Sequence, residues 1–339
     1  MRFHQLDALR FFFAAAIAIG HMAGWENFLP GAGLAVDFFF VLSGFVLTHA
    51  LVERPMPWRD YAVARFARLY PLHLLTLAAF LAVVLVSGQA GDLNPEKNND
   101  WVLLQNILLI HGLGFTEHVG FNYPSWSVSV EFWVNVLVLY AVVTQRLRWV
   151  ALFGVAAGYT LILRNPEFEF VYGEFMLIAS AGVWRCVAGV LAGYLVYEFF
   201  VWAKDRVRLD YRAVSACEAA LLGAVFWLML QTEPAYHRAA LALTPLLVLL
   251  FAFGAGGVAN GLAARPFAYL GQLSYGVYLW HIPVIYAAAG MGWFEPGAMA
   301  LWPRTLALFA ITIGLSILTY RSFEIASKKA LIGRYRAAA

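Results

Sequence analysis

The stretch LDALRFFFAAAIAIGHMAG, residues 6–24, decides the fold, because it is long and apolar enough to cross a bilayer as a helix. It nevertheless carries two basic side chains, Arg10 and His21, eleven residues apart. At about 100° per residue, eleven steps return almost to the starting angle, so both side chains project from one face, roughly 16 Å apart along the helix. Polar groups are costly inside a bilayer, so this face predicts contact with a protein interior or a water-filled cavity.

Composition places the whole chain in the class that this segment indicates. Hydrophobic residues make up 62% and charged residues 13% of the 339 residues, and the mean hydropathy is +0.71, whereas roughly a quarter of the residues are charged in soluble domains. The net charge of +3 comes from basic residues in short loops, which indicates orientation in a membrane and does not indicate a nucleic-acid partner. Cys186 and Cys217 both fall in predicted spans, so we expect neither a disulfide framework nor a metal site.

Apolar runs recur to the end of the chain and predict ten transmembrane helices. Their expected bounds are 6–24, 34–52, 68–87, 126–144, 149–163, 179–200, 213–231, 238–257, 271–291 and 303–322. Between the third and fourth spans, the apolar piece 101–114 is too short to cross, which favours a short re-entrant or interfacial helix. We therefore expect an all-α polytopic membrane helix bundle, with residues 1–339 as one integral-membrane domain.

The distribution of basic residues predicts the orientation of this bundle. With the N-terminus inside, the inner loops and both termini hold most of the arginines and lysines, whereas the outer loops hold only Lys97, Arg164 and Arg238. The bias alternates correctly through all ten spans, as the positive-inside rule requires. Both termini are therefore expected in the cytoplasm.

Four buried polar side chains are expected in the outer half of the bundle: His21, Asp37, Glu131 and Arg185. An imidazole and two carboxylates at one depth provide what a general base and its orienting partner need. The alternative is a buried salt-bridge network that holds the bundle together, with Arg185 as a partner of the carboxylates. The sequence leaves both interpretations open for Asp37 and Glu131, and it favours the functional one for His21.

A second polar group is expected at the inner side. Arg10 has Asp7 three residues before it, so a local ion pair or snorkelling to the interface is available. Arg65 and Arg68, three residues apart in YAVARFARLYP, share one helical face. Their ordinary interpretation is positive-inside anchoring, and the functional one is an electrostatic site for the phosphates of a cytoplasmic cofactor.

A third group lies in GQLSYGVYLWHIPV, residues 271–284. Tyr278 and His281 are three residues apart and share a helix face, with Ser274 and Tyr275 in the same segment. Taken alone, this motif favours aromatic packing around a histidine whose hydrogen bonds are satisfied.

Together these motifs resemble those of the acyltransferase-3 family, the polytopic O-acyltransferases of bacteria that modify surface and exported glycans. The resemblance is ordered and covers nearly the whole chain. The matching segments are LDALR with Arg10 and His21, VDFFFVLSGFVL (36–47), RFARLYPLH (65–73), PSWSVSVEFW (124–133), LSYGVYLWHIPV (273–284) and YRSFE (320–324). Many relatives append a periplasmic SGNH hydrolase-like domain, and we expect none here because the sequence stops after the last span.

The resemblance implies transfer of an acyl group, usually acetyl from acetyl-CoA, to a hydroxyl of an extracytoplasmic or lipid-linked saccharide at the bacterial inner membrane. In this interpretation His21 is the general base, Asp37 or Glu131 fixes its tautomer, and Arg10 lies at the donor end of the same polar path. The expected donor-binding residues are Arg65, Arg68, Ser43 and Tyr70, and the expected acceptor-binding residues are Trp126, Ser127, Tyr278, His281 and Arg185.

Two alternatives stay open from the sequence. An acyl-histidine intermediate would give His21 a nucleophilic role in the same transfer. A transporter or flippase would also place ionisable groups along a path through the membrane, although the chain shows neither internal symmetry nor paired broken helices. No residue pattern indicates the acceptor, the acyl length or the oligomeric state.

Overall fold

The computed structural model describes residues 2–116, 119–164, 175–176 and 178–338. In these ranges the chain is almost entirely helical, which confirms the predicted all-α membrane bundle. The only sheet within the described ranges is a two-stranded antiparallel hairpin, in which Phe175–Met176 pairs with Ala179–Ser180.

The helices follow one another with short connections. In chain order they are α1 His4–Ala23, α2 Ala35–Glu53, α3 Trp58–Val86, α4 Asp100–Ile107, α5 Trp126–Trp133, α6 Tyr140–Gln145, α7 Arg148–Leu163, α8 Ala181–Ala203, α9 Tyr211–Met229, α10 Pro234–Phe253, α11 Gly257–Leu262, α12 Arg265–Gly290, α13 Leu301–Thr319 and α14 Ile325–Ala338. Two π-helical segments connect helices without a break: Val134–Leu139 joins α5 to α6, and Tyr320–Glu324 joins α13 to α14.

A helix occupies each of the ten predicted span positions. Eight helices in the described part of the chain are long and apolar enough to cross a membrane. Arg148–Leu163 is apolar but shorter, and α12 is long but is not among the eight because its sequence is richer in polar side chains. The count of ten spans therefore stays a prediction.

Local sequence signals explain where several helices begin and end. α1 ends at Ala23 because Gly24 takes a φ of 86°, a conformation that costs glycine nothing. α8 and α9 begin after Ser180 and Asp210, whose side chains accept the backbone N–H groups of Val183 and Ala213. These side chains satisfy helix N-terminal amides that the helix itself leaves unpaired.

Two helices extend well beyond the predicted spans. α3 begins at Trp58, ten residues before the predicted start at 68, so Arg65 and Arg68 lie within the helix and not in a loop or at its boundary as predicted. The last span continues through α14, and Tyr335 donates a hydrogen bond to Asp60 of α3 at 2.8 Å. In both cases polar residues extend the helix beyond the apolar run, so hydropathy alone does not locate the start of α3 or the end of α14.

The apolar piece 101–114 is helical only over Asp100–Ile107. The backbone after it is irregular but packed inside the protein: Leu109 and His111 are buried, and the Oγ of Ser129 donates to the carbonyl of Leu109 at 2.8 Å. Protein groups thus satisfy the polar atoms of this irregular backbone.

Small residues let α2 and α8 pack backbone to backbone. A Cβ atom on Gly44 would overlap the carbonyl oxygen of Val190, and one on Gly193 would overlap that of Val41. Close approach through glycine is a common mode of helix association in membranes. This contact fixes α2, which carries Ser43 and Asp37, against α8.

Candidate active site

The site is built on α1 and α12, which run parallel in close contact. Gly271 faces the start of α1, where a Cβ atom would collide with the backbone of Asp7. One turn further on, the Nε atom of Arg10 donates to the Oγ of Ser274 at 2.8 Å, and Nη2 donates to the carbonyl of Gly271 at 2.9 Å. Asp7 completes the contacts with an ion pair to Arg10 at 3.1 Å. The polar face of α1 therefore meets a complementary polar face of α12.

The other end of that face carries His21, which contacts His281 of α12. The Nδ1 atom of His21 lies 3.1 Å from Nε2 of His281, and the two rings stack with centroids 5.0 Å apart. The rings of Trp25 and Tyr123 pack edge-on against His21 at 4.5 and 5.5 Å. His281 is fully buried, whereas His21 is partly exposed. His21 thus contacts protein side chains of α12 and of two connecting segments, as the sequence predicted for this face of α1.

This contact allows one histidine to set the tautomer of the other. Only one of two neutral imidazoles can donate in a single hydrogen bond, and the other must accept. If Nδ1–H of His21 donates to Nε2 of His281, the Nε2 atom of His21 keeps its lone pair and is free to take a proton.

Neither carboxylate that was expected to orient His21 does so, and this prediction is wrong. Asp37 pairs with Arg185, with Oδ1 to Nε at 3.1 Å and Oδ2 to Nη2 at 2.5 Å, and both side chains are almost completely buried. The guanidinium also lies 5.6 Å from the ring of Trp126. The alternative of a buried salt bridge therefore describes Asp37 and Arg185, because a buried charge is tolerable only beside its partner.

Glu131 contacts Arg65, which was predicted at the opposite end of the polar path. The Nη2 atom of Arg65 lies 2.9 Å from Oε1 of Glu131, and the hydroxyl of Ser43 donates to the same oxygen at 2.9 Å. Asn135, in the first π-helical segment, donates to the Oγ of Ser43 at 3.0 Å. Because α3 starts early, Arg65 lies two turns into that helix. Glu131 was expected in the outer half of the bundle and Arg65 at the inner side, and this separation of the two residues is wrong.

Ser43, Arg65 and Glu131 line a cavity of about 140 Å³, which we call the central chamber. Its polar lining consists of Arg10, Ser43, Arg65, Arg68, Ser127, Glu131, Ser274, Tyr275 and Tyr278, and its apolar lining comes mainly from α2. Three guanidinium groups against one carboxylate make the polar lining positive. Such a chamber attracts an anionic or strongly polar ligand, and its apolar wall can accommodate an acyl chain.

Tyr278 lies between the central chamber and the histidine pair. Its hydroxyl lies 2.8 Å from the Oγ of Ser127 and donates to the carbonyl of Pro124 at 2.6 Å. Its ring centroid is 6.0 Å from that of His281, one turn further along α12. Tyr278 and Ser127 were expected at the acceptor side, and the structure places both in the chamber lining.

Two other expected site residues lie away from the chamber lining. Tyr70 stacks on Phe66 at 4.3 Å and donates to the carbonyl of Ile107, so its hydroxyl points to α4. Trp126 is buried between Arg185 and Phe40, in the packing of α2 against α8. Their positions indicate that these side chains fix the helices around the chamber.

Sequence reasoning named Glu324 within a family motif but gave it no role. Its Oε2 atom lies 2.7 Å from Nη1 of Arg68, and the guanidinium of Arg68 also lies 5.2 Å from the ring centre of Tyr275. A carboxylate near the end of an apolar run was the signal that could have marked this residue. The π-helical conformation of Tyr320–Glu324, which brings Glu324 to Arg68, has no sequence signal of its own.

A buried histidine pair outside the chamber also escaped the sequence analysis. His73 lies 2.8 Å from the carbonyl of Asn106, and His111 lies 3.0 Å from the Oγ of Ser125, with the two rings stacked. His111 anchors the irregular backbone after α4 through this contact, which is a structural role.

Fold and site together define a class: a polytopic helical membrane protein with a cationic chamber beside the contact of His21 with His281. The chain belongs to the acyltransferase-3 family, because the model of its acyltransferase domain matches residues 3–321, which confirms the resemblance found in the sequence. The protein is therefore an acyltransferase.

Three relatives are similar over most of this chain. Acyltransferase MdmB of Streptomyces mycarofaciens is 28% identical, with 93% of this chain and 89% of that protein covered. The putative membrane-bound transacylase BcsY of Komagataeibacter xylinus is 25% identical, with 94% and 81% covered. The putative peptidoglycan O-acetyltransferase YrhL of Bacillus subtilis is 25% identical over 94% of this chain, which spans only 54% of that protein. No solved structure matches the chain.

Proposed function

We propose that this acyltransferase moves an acyl group, usually acetyl, from cytoplasmic acyl-CoA to a hydroxyl of an extracytoplasmic or lipid-linked saccharide. The observation that carries the proposal is the 3.1 Å contact between His21 and His281. It lies on the same face of α1 as Arg10, which lines the central chamber. A base and a cationic chamber on one helix face are what a transfer from an anionic thioester to an alcohol needs.

His21 acts as the general base in this proposal. A neutral hydroxyl is a weak nucleophile, so the Nε2 atom of His21 takes its proton as the oxygen attacks the thioester carbonyl. The new C–O bond forms, the C–S bond breaks, and the proton on His21 is available to the leaving thiolate. His281 holds His21 in the tautomer that keeps Nε2 free, a role first expected of Asp37 or Glu131.

Arg10, Arg65 and Arg68 bind the donor in this proposal, with Ser43 beside them. Charge supports this assignment, because the donor is polyanionic and guanidinium groups bind phosphate and polarised carbonyl oxygens well. Glu131 holds Arg65 in place, so its proposed role is to position a donor-binding side chain. No step of this reaction requires a metal ion.

The acceptor class rests on the relatives. YrhL is named a putative peptidoglycan O-acetyltransferase, and OatA of Listeria monocytogenes, 22% identical to this chain, is named a peptidoglycan O-acetyltransferase. A saccharide hydroxyl is therefore the acceptor we propose. It approaches His21 past Trp25 and Tyr123, whose aromatic rings suit the apolar face of a sugar.

The proposed location is the bacterial inner membrane, with both termini in the cytoplasm. The alternation of basic loops supports this orientation. It places the start of α1 and the whole of α14 on the cytoplasmic side, where acyl-CoA is available. His21, at the far end of α1, then lies on the side from which an exported glycan approaches.

The test is an acyl-transfer assay in proteoliposomes with radiolabelled acetyl-CoA and a glycan acceptor. We expect His21→Ala to reduce transfer by about 10²–10⁴-fold, the usual contribution of a positioned base. Transfer of label to the glycan identifies an acyltransferase that uses CoA, whereas unmodified glycan crossing the bilayer identifies a flippase. Undiminished transfer by a normally inserted His21→Ala variant would overturn the role of His21.

His49→Ala is the matched control. His49 lies in α2 and packs against Phe3 and Tyr197 with ring centroids 5.2 and 5.7 Å away. It is a membrane-helix histidine that does not line the central chamber. We expect this variant to transfer acetyl groups at the rate of the unchanged protein.

A further inference from the structure

Pro283 interrupts the hydrogen bonds of α12 two residues beyond His281. Proline has no backbone N–H, so the carbonyl of Leu279, four residues before it, loses the hydrogen bond that a regular helix would supply. Leu279 is completely buried, and a buried carbonyl without a partner is costly. The turn of α12 that carries His281 therefore needs a donor from elsewhere in the protein.

Asn122, in the connection between α4 and α5, supplies that donor. Its Nδ2 atom donates to the carbonyl of Leu279 at 2.9 Å, across 157 positions of the sequence. The same nitrogen donates to the Oγ1 of Thr76 in α3 at 3.3 Å. Asn122 is completely buried, and its side-chain oxygen accepts from no residue in the described ranges. Its two N–H groups therefore carry its interactions, and they join this connection to α12 and to α3.

Local helix capping does not explain this asparagine. Asn122 stands directly before the short 3₁₀-helix Tyr123–Ser125, a position at which an asparagine side chain commonly accepts the first backbone N–H groups of a helix. Here the side chain makes no such capping hydrogen bond. It reaches α12 instead, so its role lies in the packing of distant segments.

A second proline in the bundle shows a local solution to the same problem. Pro245 lies inside α10 and removes the helix hydrogen bond to the carbonyl of Leu241. The preceding residue, Thr244, donates its hydroxyl to that carbonyl at 2.8 Å. The residue before Pro283 is Ile282, which has no hydroxyl to donate. In α12 the donor therefore comes from Asn122, and it links two parts of the fold.

This link bears on both members of the histidine pair. His281 follows Leu279 by two residues in α12. Tyr123 follows Asn122 directly, and the centroid of its ring lies 5.5 Å from that of His21. One side chain thus fixes the turn that carries His281 and the segment that packs against His21.

A second hydrogen bond joins the same two segments. The hydroxyl of Tyr278, next to Leu279 in α12, donates to the carbonyl of Pro124 at 2.6 Å. This bond does not involve Asn122, so it continues to hold the segments together when Asn122 is replaced. Loss of Asn122 therefore changes the position of the turn within a bundle that still folds.

We propose that Asn122 is a positioning residue for the transfer reaction: its amide replaces the helix hydrogen bond that Pro283 removes, and so holds His281 in contact with His21. This inference rests on the proposed function, because Asn122 acts only through the histidine that orients the base. A displacement of about 1 Å at a reacting group can cost on the order of 10²-fold in rate. Loss of Asn122 therefore lowers kcat and leaves the binding of donor and acceptor in place.

The experiment replaces Asn122 by leucine, which has a similar size and no donor. Full-length Asn122→Leu is assayed in proteoliposomes with radiolabelled acetyl-CoA and a glycan acceptor. We expect kcat to fall by about 10- to 100-fold, while the KM values for donor and acceptor stay within about twofold. In a His281→Ala background the same change should cost no more than about twofold, because residues that act as a unit are not additive. Equal losses in both backgrounds, or an unchanged kcat, would overturn the proposal.

Thr244→Val is the matched control. It removes the hydroxyl that donates to the carbonyl opened by Pro245, at nearly constant side-chain size, in a helix that does not line the central chamber. We expect its kcat to stay within about twofold of the unchanged protein. A fall as large as that of Asn122→Leu would mean that losing any such bond slows the reaction, and would leave Asn122 with no special role.

Pro283→Ala tests the hydrogen bond itself without reference to activity. It restores the backbone N–H that the carbonyl of Leu279 lacks, so this carbonyl depends less on Asn122. We expect Asn122→Leu to lower the Tm in detergent, and to lower it less than half as much in the Pro283→Ala variant. Equal losses of Tm would show that Asn122 does not compensate for Pro283. If the unchanged protein transfers no acyl group, the proposed function fails, and this comparison of Tm values still tests the contact.

Discussion

The Nδ1 atom of His21 lies 3.1 Å from the Nε2 atom of His281, which joins two helices whose contact residues are 260 positions apart in the chain. This contact gives the proposed base a partner that is neutral and buried. A neutral partner orients an imidazole without strongly favouring its protonated form, as a carboxylate would. It therefore suits a base that must release its proton again at each turnover.

The first prediction concerns His281 as the residue that positions His21. His281→Ala should lower kcat by at least about tenfold. The largest expected loss is the whole contribution of a positioned base, roughly 10²–10⁴-fold. His281→Gln should restore part of the rate, since an amide oxygen can accept from Nδ1–H of His21. The measurement is steady-state kinetics for donor and acceptor. If His281 instead binds the acceptor directly, His281→Ala would raise the KM for the acceptor and leave kcat unchanged.

The second prediction separates structural from catalytic carboxylates. Asp37→Ala should destabilise the protein by about 3–5 kcal/mol, because it leaves Arg185 as a buried unpaired charge. Replacing both residues, Asp37→Leu with Arg185→Met, should recover most of that stability. Thermal unfolding in detergent measures both. If the double variant is stable but inactive, Asp37 has a chemical role that its ion pair does not explain.

The third prediction concerns the ion pair between Arg65 and Glu131. A double-mutant cycle with Arg65→Gln and Glu131→Gln should give a coupling free energy of about 0.5–3 kcal/mol in stability. Both single variants should also raise the KM for acetyl-CoA, since each displaces a guanidinium in the central chamber. Additive effects in the cycle would contradict the 2.9 Å contact.

The fourth prediction tests the close packing of α2 on α8. Gly44→Ala should destabilise the bundle by about 1–3 kcal/mol, because the added methyl group meets the carbonyl oxygen of Val190. Gly223→Ala is the control, since the space around Gly223 in α9 is open. That change should be neutral or stabilising by up to about 1 kcal/mol. Equal thermal shifts for both variants would argue against the close contact.

The sequence predicted the architecture well because apolar length and helical periodicity are local properties. A helix lies at every predicted span position, and the polar face of α1 meets protein as its cost in lipid requires. Membership of the family was also evident, since each motif lies in one short segment. These features need no knowledge of which helix packs against which.

The partners of the polar residues could not be predicted, because they depend on helix ends and on packing. Polar residues extend α3 from 68 back to Trp58, and this shift brings Arg65 to Glu131. The π-helical segment Val134–Leu139 turns Asn135 toward Ser43, and a change of helical pitch has no recognisable sequence signal. Asp37 pairs with Arg185, which lies 148 positions later in the chain, on a different helix.

The parallel contact of α1 with α12 also affects how the protein is made. At about 5–20 residues per second, the ribosome needs on the order of 10–50 s to synthesise the 260 residues between His21 and His281. During that time the polar face of α1 is already in the membrane without the helix that complements it. Biogenesis therefore includes a long-lived intermediate, in which Arg10 and His21 depend on the insertion machinery or on transient partners for protection from lipid. Slower translation of this interval would prolong the stage at which quality-control proteases recognise the chain.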